Sequence, residues 1–209
     1  AGIAHPLDVA FCARCLPAPD LRSPQAPLLQ LGSQILSYDY LWEEVRAKGG
    51  AYGAFCSYDP LAGGFSMTSY SDPDIVRTLG VFDGLQAALG RSAWTGADIE
   101  RAAIACAREE ETPIRPGMAT DVALWRYLAG VTQERRREWR QALLQATPGA
   151  VREAMLDLLR QAQGEEGTAV LSSRRRLRAA AALVATPLSV RPLASPGRRR
   201  GGAISAGRA

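Results

Sequence analysis

The apolar residues of this sequence change their spacing in an order that restricts the fold. Alternation predicts a strand over residues 9–16, and two aromatic-rich strands over 51–59 and 64–70 are separated by four residues, a spacing typical of a β-hairpin. Helical spacing surrounds the hairpin and then continues through several consecutive segments. Because strands and helices do not alternate strictly, we expect the α+β class, an antiparallel or mixed sheet with helices packed over it.

The helical segments are predicted from apolar periodicity and from capping residues. The first is expected to stop at Gly49 and Gly50, because glycine allows a left-handed end residue. A break is expected within it at Tyr38. Asp72 is predicted to cap the next helix, with Pro73 at its first position. Helices are predicted at 28–48, 73–89, 95–111, 119–129, 132–145, 148–163 and 173–184, and short strands at 167–171 and 188–193.

Charge and composition indicate the domain organisation. Residues 1–194 are expected to form a single α+β domain and residues 195–209 a disordered basic tail, since Pro, Gly and Arg with small residues cannot build a core. The formal charge of +4 sums two unlike parts: residues 1–171 carry 16 Arg and Lys against 21 Asp and Glu, and residues 172–209 carry nine Arg and no acid. The folded body is therefore mildly acidic.

The chain lacks most side chains that common hydrolase and metal sites require. His5 is the single histidine, so neither a Ser-His-Asp triad nor a catalytic zinc site is expected here, and His5 is predicted to lie on the surface. Cys12 and Cys15 form a C-x-x-C on a predicted strand, where residues three apart point to opposite faces. They are therefore expected to be buried structural thiols, in preference to a zinc or redox site. No phosphate-binding loop or nucleophile elbow occurs, and no transmembrane helix is expected.

One segment, residues 40–55, joins a helix that ends in a cation to a strand that begins with an aromatic hydroxyl. Gly49 and Gly50 reverse the chain, and Arg46 and Tyr52 lie six residues apart across the reversal. Both polar heads can therefore project from the same end of the layer. The alternative is a tight helix-to-strand turn in which Tyr52 is a half-buried strand tyrosine.

A wider pattern surrounds these residues. It consists of Leu41-Trp42, Val45-Arg46, Gly49-Gly50-Ala51-Tyr52-Gly53, the turn at 63–65, Ser69-Tyr70, Asp72-Pro73, and the segments 124–132 and 169–173. This pattern resembles the last domain of the presequence protease branch of the pitrilysin/insulysin zinc metallopeptidases, and the likeness covers roughly residues 7–193. Ser71 is a departure, since the family usually has Arg there, and this puts in doubt any charge contact made at that position.

The resemblance implies an enzyme of four similar α+β domains, arranged as two halves that close around an unfolded peptide. Its zinc ligands, an inverted H-x-x-E-H and a distal Glu, belong to the first domain, and that motif is absent here. In the family the last domain contributes an Arg and a Tyr to the substrate backbone near the scissile bond, and Arg46 and Tyr52 match those positions. The resemblance therefore implies a chamber wall with no cofactor of its own, and zinc in the complementary N-terminal half.

Three functions remain open at this point. The first is the C-terminal portion of a zinc metalloendopeptidase, inactive alone, whose partners are the zinc-bearing half and an unfolded peptide. The second is a stand-alone, non-catalytic partner subunit of a two-chain peptidase. The third takes the arginines of 174–178 and 198–200 as a nucleic-acid-binding surface, although no aromatic residue is interleaved with them.

Two further expectations concern the context of the chain. Four cysteines are too few for a disulfide scaffold in 209 residues, which favours a reducing, cytoplasmic location, with an organelle lumen as the alternative. The first residue is Ala1 and not Met, so either processing or an upstream segment is expected.

Overall fold

The computed structural model describes residues 1–110, 112–185 and 187–193. Its strands are β1 (Gly2–Ala4), β2 (Ala10–Pro17), β3 (Gly53–Asp59), β4 (Gly64–Asp72), β5 (Gly167–Ser172) and β6 (Val190–Pro192). Within these residues they form one sheet in the order β3-β4-β2-β5-β1-β6. The neighbours β3–β4, β4–β2 and β2–β5 are antiparallel, whereas β1 runs parallel to both β5 and β6.

Helices cover one face of this mixed sheet, so the predicted α+β class is confirmed. A π-helix (Ser37–Ala47) continues the first α-helix, and a 3₁₀ turn (Pro116–Met118) precedes the fifth. The α-helices are α1 (Ala26–Leu36), α2 (Ile75–Asp83), α3 (Leu85–Arg91), α4 (Gly96–Glu110), α5 (Ala119–Leu128), α6 (Gln133–Gln145), α7 (Pro148–Gln161) and α8 (Arg174–Ala181).

The alternation of β2 places its residues on two different surfaces. Cys12 is buried against the helices, and Cys15 lies on the opposite face, as expected for residues three apart on a strand. The predicted burial of both thiols is wrong for Cys15, which is exposed because the helices do not cover that face at this position. The β3–β4 hairpin was also predicted, and its register runs from Gly53 opposite Tyr70 to Asp59 opposite Gly64. The sequence did not predict β1, because a three-residue strand offers too little alternation to detect.

The long helical segment that begins at α1 changes its hydrogen bonding at Ser37, next to the predicted break at Tyr38. The Ser37 hydroxyl accepts a hydrogen bond from the Cys56 N–H at 2.8 Å, and its oxygen lies 2.9 Å from both the Cys56 and the Ser33 carbonyl oxygens, to which it can donate. A side chain inserted among backbone groups in this way is a recognised site for a change in helix geometry. The same hydroxyl therefore provides a hydrogen-bond partner for the N–H and the carbonyl of Cys56, which lies on the edge strand β3.

The cap predicted at Asp72 is wrong. Asp72 belongs to β4, and Asp74 caps α2 by accepting a hydrogen bond from the Arg77 N–H at 3.0 Å, so Pro73 precedes the cap. Asp72 is instead buried, and it accepts hydrogen bonds from the Ser69 and Thr78 hydroxyls and from the Asp74 N–H. Asp72 and Asp74 lie on either side of Pro73. Because Asp72 pairs with Ala10 in the sheet, Asp74 is the residue that caps α2.

The single helix predicted over 73–89 is two helices that meet at Gly84. The Tyr40 hydroxyl donates to the Val81 carbonyl at 2.8 Å, an oxygen that a continuous helix would pair with the N–H four residues on. A Cβ at Gly84 would lie 3.1 Å from the Tyr40 hydroxyl oxygen. The approach of Tyr40 from the π-helix therefore explains the break.

The later helices lie close to their predicted positions. Thr132, Thr147 and Ser173 each cap the helix that follows by accepting a backbone N–H, and the Asp98 carboxylate accepts from the Thr95 N–H. The main core lies between the sheet and α1, α2, α3 and α7, and a second apolar cluster joins α1 to α4 and α6. The predicted tail, 195–209, lies outside the described residues. None of the described helices is long and apolar enough to cross a membrane.

Candidate functional site

The turn between the π-helix and β3 requires glycine. The Lys48 N–H donates to the Glu43 carbonyl, and the Gly50 N–H donates to the Arg46 carbonyl at 2.9 Å. Gly50 has a φ of +79°, in the left-handed region, and a Cβ at Gly49 would collide with the Val45 carbonyl oxygen. This geometry brings the last turn of the π-helix beside the start of β3.

Arg46 is held by two contacts on the last turn of the π-helix. Its guanidinium lies over the Trp42 ring, 3.7 Å from the ring centroid. Its Nε donates to the Tyr52 carbonyl oxygen at 3.0 Å. A cation over an indole face is attracted by the ring quadrupole, so Trp42 orients the guanidinium as well as covering it. The structure therefore brings Arg46 and Tyr52 together through the Tyr52 backbone.

Tyr52 lies one residue before β3, and its side chain is 70% exposed. Its ring centroid is 5.4 Å from that of Tyr70, in a tilted arrangement, and its N–H donates to the Ser71 carbonyl. Tyr52 is consequently an exposed residue with a free ring face and not a half-buried strand tyrosine. Its hydroxyl is available to a molecule that approaches this end of the sheet.

A pair of stacked rings supports Tyr52. Tyr70 stacks on Phe55 with 5.8 Å between centroids, and it also lies directly over Gly53, where a Cβ would overlap its ring. Ser71, next to Tyr70, adopts a φ of +48°, which is uncommon for a residue other than glycine. These contacts hold the Tyr70 ring in place, and the Tyr70 ring packs against one side of the Tyr52 ring.

The carboxylates near the turn are paired with other cations. Lys48 Nζ lies 2.8 Å from Glu44 and 3.3 Å from Glu43, and Arg77 lies 3.7 Å from Glu44. The hydrogen bond with Glu44, followed by that with Glu43, raises the pKa of Lys48. Arg46 is thus bound to an aromatic ring and a carbonyl, and its guanidinium can attract a further negative charge.

Sequence reasoning selected Arg46 and Tyr52 as site residues but not Trp42 or Tyr70. The spacing of Trp42 and Arg46, four residues apart on one helical face, is a signal that could have identified their contact. The contact of Tyr70 with Tyr52 depends on the hairpin register, which local spacing does not reveal. The role of the two selected residues stays a prediction.

A zinc site does not fit the residues that the structure describes. Among them, no three His, Cys, Asp or Glu side chains are grouped closely enough to hold a metal ion. His5 is exposed at the end of β1, in agreement with its predicted surface position.

The arginine-rich helix α8 is partly integrated into the fold. Arg176 donates from its guanidinium to the Pro73 carbonyl, while Leu177 is buried in the core. Arg174, Arg175 and Arg178 are exposed. The second arginine run, 198–200, lies outside the described residues, so nucleic-acid binding stays an untested hypothesis.

Sequence comparisons place the chain among known proteins. Residues 27–170 match the family model described as the PreP C-terminal domain. The mitochondrial presequence protease of Kluyveromyces lactis is 31% identical over 160 residues, which cover 76% of this chain and 16% of that protein. A chloroplastic/mitochondrial presequence protease of Arabidopsis thaliana is 35% identical over 112 residues, which cover 54% of this chain and 10% of that protein. The matched segment is therefore only a small part of these relatives.

Solved structures share the fold. A protease from Helicobacter pylori superposes with a TM-score of 0.67 at 17% identity, covering 82% of this chain and 43% of that chain. The peptidase M16 inactive domain from Pseudomonas fluorescens superposes with a TM-score of 0.63 at 17% identity, covering 90% of this chain and 44% of that chain. At this identity the likeness concerns the architecture.

Proposed function

The chain belongs to the family of PreP C-terminal domains, and from this premise we propose that it forms the non-zinc wall of a metalloendopeptidase chamber. In this role it closes the chamber over an unfolded peptide and directs Arg46 and Tyr52 towards the carbonyl of the scissile bond. The zinc is bound by a complementary N-terminal half, because the described residues of this chain contain no group of metal ligands.

The observation that carries the proposal is the placement of Arg46 and Tyr52 on one accessible end of the sheet. Trp42 holds the guanidinium at 3.7 Å, and Tyr70 supports the exposed Tyr52 ring at 5.4 Å. Two oriented donors cost little reorganisation when negative charge develops on a carbonyl oxygen. Such donors stabilise the transition state more than the bound peptide, so they act mainly on turnover.

The test uses the complete chain combined with the polypeptide that carries the H-x-x-E-H motif. Arg46→Ala and Tyr52→Phe are each expected to lower turnover by roughly 10²- to 10³-fold, as the loss of one oxyanion donor does. The KM for peptide should change much less. The measurement is steady-state cleavage of a fluorogenic peptide, with circular dichroism to confirm that each variant is folded.

Matched controls separate this role from a general surface effect. Tyr38→Phe removes the hydroxyl of another exposed tyrosine, and Arg22→Ala removes another exposed guanidinium. Both should retain full turnover. If Arg46→Ala and Tyr52→Phe are also fully active, the site assignment is wrong, although the family membership remains.

The compartment is also part of the proposal. The relatives from Kluyveromyces lactis and Arabidopsis thaliana are named as mitochondrial or chloroplastic proteins. These names support an organelle lumen, whereas the cysteine content of this chain favours the cytoplasm. Immunodetection of this chain in organelle and cytosol fractions decides between the two.

A further inference from the structure

Helix α5 and the 3₁₀ turn before it form an unusually exposed apolar segment. We call residues 116–128 the apolar arm. None of its residues is buried, although it carries several large apolar side chains. The exposed fractions are 54% for Met118, 54% for Leu124, 68% for Trp125, 83% for Tyr127 and 65% for Leu128.

The arm lacks the packing that normally stabilises a short helix. Its ten-residue helix packs mainly against its own 3₁₀ turn, and isolated helices of about this length are marginal in water. Its C-terminal end is nevertheless well defined: Gly130 has a φ of +66°, and the Val131 N–H donates to the Arg126 carbonyl at 2.8 Å. The sequence thus encodes a helix whose tertiary contacts are missing from the described residues.

The apolar side chains form one broad face of the helix. Leu124, Trp125 and Leu128 lie on one face, at the spacing i, i+1 and i+4. Tyr127, three residues after Leu124, lies beside Leu124 at the edge of this face that is farther from Trp125, so the four side chains together span about 160° of the helix. A contiguous exposed apolar patch of this kind marks an interaction surface.

We propose that the apolar arm docks into a hydrophobic groove of the zinc-bearing polypeptide and thereby joins this chain to the rest of the enzyme. The inference rests on the proposed function. In the Kluyveromyces lactis relative the matched segment is only 16% of the protein, so most of that protein is available to cover the arm. A helix that lays apolar side chains into a groove is a recurrent mode of recognition.

A second copy of this chain fits the arm less well. Two ten-residue helices packed against each other meet along a narrow seam, whereas the apolar face that runs from Trp125 to Tyr127 spans about 160° of the helix. Such a contact would bury far less than the roughly 800 Å² per partner of a standard stable interface. A groove can enclose the whole of this broad apolar face.

The test compares the free chain with the chain mixed with the polypeptide that carries the H-x-x-E-H motif. Backbone hydrogen exchange of residues 119–128 should be fast in the free chain and strongly slowed in the mixture. The triple variant Leu124→Gln, Trp125→Gln and Leu128→Gln keeps good helix formers and should weaken binding at least about 100-fold, since central aromatic anchors dominate interfaces. The thermal midpoint of the free variant should match that of the free wild-type chain.

The control variant Ile104→Gln with Leu144→Gln removes exposed apolar residues from two other helices and should bind like the wild type. If the mixture is active while residues 119–128 still exchange fast, or the triple variant binds normally, the docking inference is wrong and the proposed function stands. If the free chain dimerises in sedimentation and the triple variant does not, a second copy is the occupant and the inference is wrong. If the wild-type chain does not bind the zinc-bearing polypeptide, both proposals fall.

Discussion

Single side chains differ in reactivity here mainly because of the sheet face on which they lie. Cys12 and Cys15 are three residues apart on β2, yet burial, with a smaller contribution from the Asp72 carboxylate, raises the pKa of Cys12 to about 12. Cys15 is exposed. A thiol reacts as its thiolate, so the two cysteines should respond very differently to an alkylating agent.

We expect iodoacetamide near pH 8 to modify Cys15 in the folded chain and to spare Cys12, Cys56 and Cys106, which are buried. All four should react after denaturation. Peptide mass spectrometry measures the extent at each site. Modification of Cys12 as fast as that of Cys15 would contradict the packing of β2.

At the scale of the elements, one hydroxyl joins the π-helix to the edge strand. Ser37 is buried and is in contact with both the N–H and the carbonyl of Cys56. Ser37→Ala would leave buried backbone groups without a partner, which costs about 1–3 kcal/mol of unfolding free energy. Urea unfolding of this variant measures the loss.

The control for Ser37→Ala is Ser57→Ala on the exposed face of β3. Ser57 contacts the Ser66 hydroxyl in a solvent-exposed pair, and such surface substitutions usually change stability by less than about 0.5 kcal/mol. An equal, small effect of both variants would show that the Ser37 bridge does not stabilise the fold.

Substitutions of the two aspartates before α2, Asp72 and Asp74, should lower the stability of the chain by different amounts. Asp74→Ala removes an N-cap and is expected to cost about 1 kcal/mol. Asp72→Ala leaves three donors unpaired around a buried position and should cost more, on the order of 3 kcal/mol. Denaturant midpoints of the two variants give the ranking, and the reverse order would restore Asp72 as the cap.

At the scale of the whole molecule, we have proposed a chamber wall and a connecting arm, and the described residues contain no group of metal ligands. Arg46 and Tyr52 lie on either side of the turn between the π-helix and β3, and the apolar arm is exposed. Division of a catalytic site between polypeptide segments requires that each segment be held precisely, since small misplacements lower the rate strongly.

We therefore expect the isolated chain to bind no stoichiometric zinc and to cleave no peptide. The single histidine and the divided orientation of Cys12 and Cys15 leave too few convergent ligands for zinc. Metal analysis of the purified chain and a fluorogenic peptide assay test this. Stoichiometric zinc together with cleavage that a chelator abolishes would overturn the proposed division of roles.

The sequence by itself determined the features that depend on neighbouring residues. Apolar spacing predicted the hairpin and most helices, and the caps at Thr132, Thr147 and Ser173 agree with it, because helix and strand periods and cap bonds span only a few residues. The pattern of short motifs between residues 41 and 173 indicated the family, and the family model matches residues 27–170.

The tertiary structure alone decided what depends on distant partners. The three-residue strand β1 exists because β5 and β6 pair with it, Asp72 is a strand residue because it pairs with Ala10, and the helix breaks at Gly84 because Tyr40 reaches Val81. Local spacing could not reveal the Tyr52–Tyr70 contact either. The exposure of α5 belongs to the same class, since an amphipathic pattern does not state whether its partner lies within the chain or in another polypeptide.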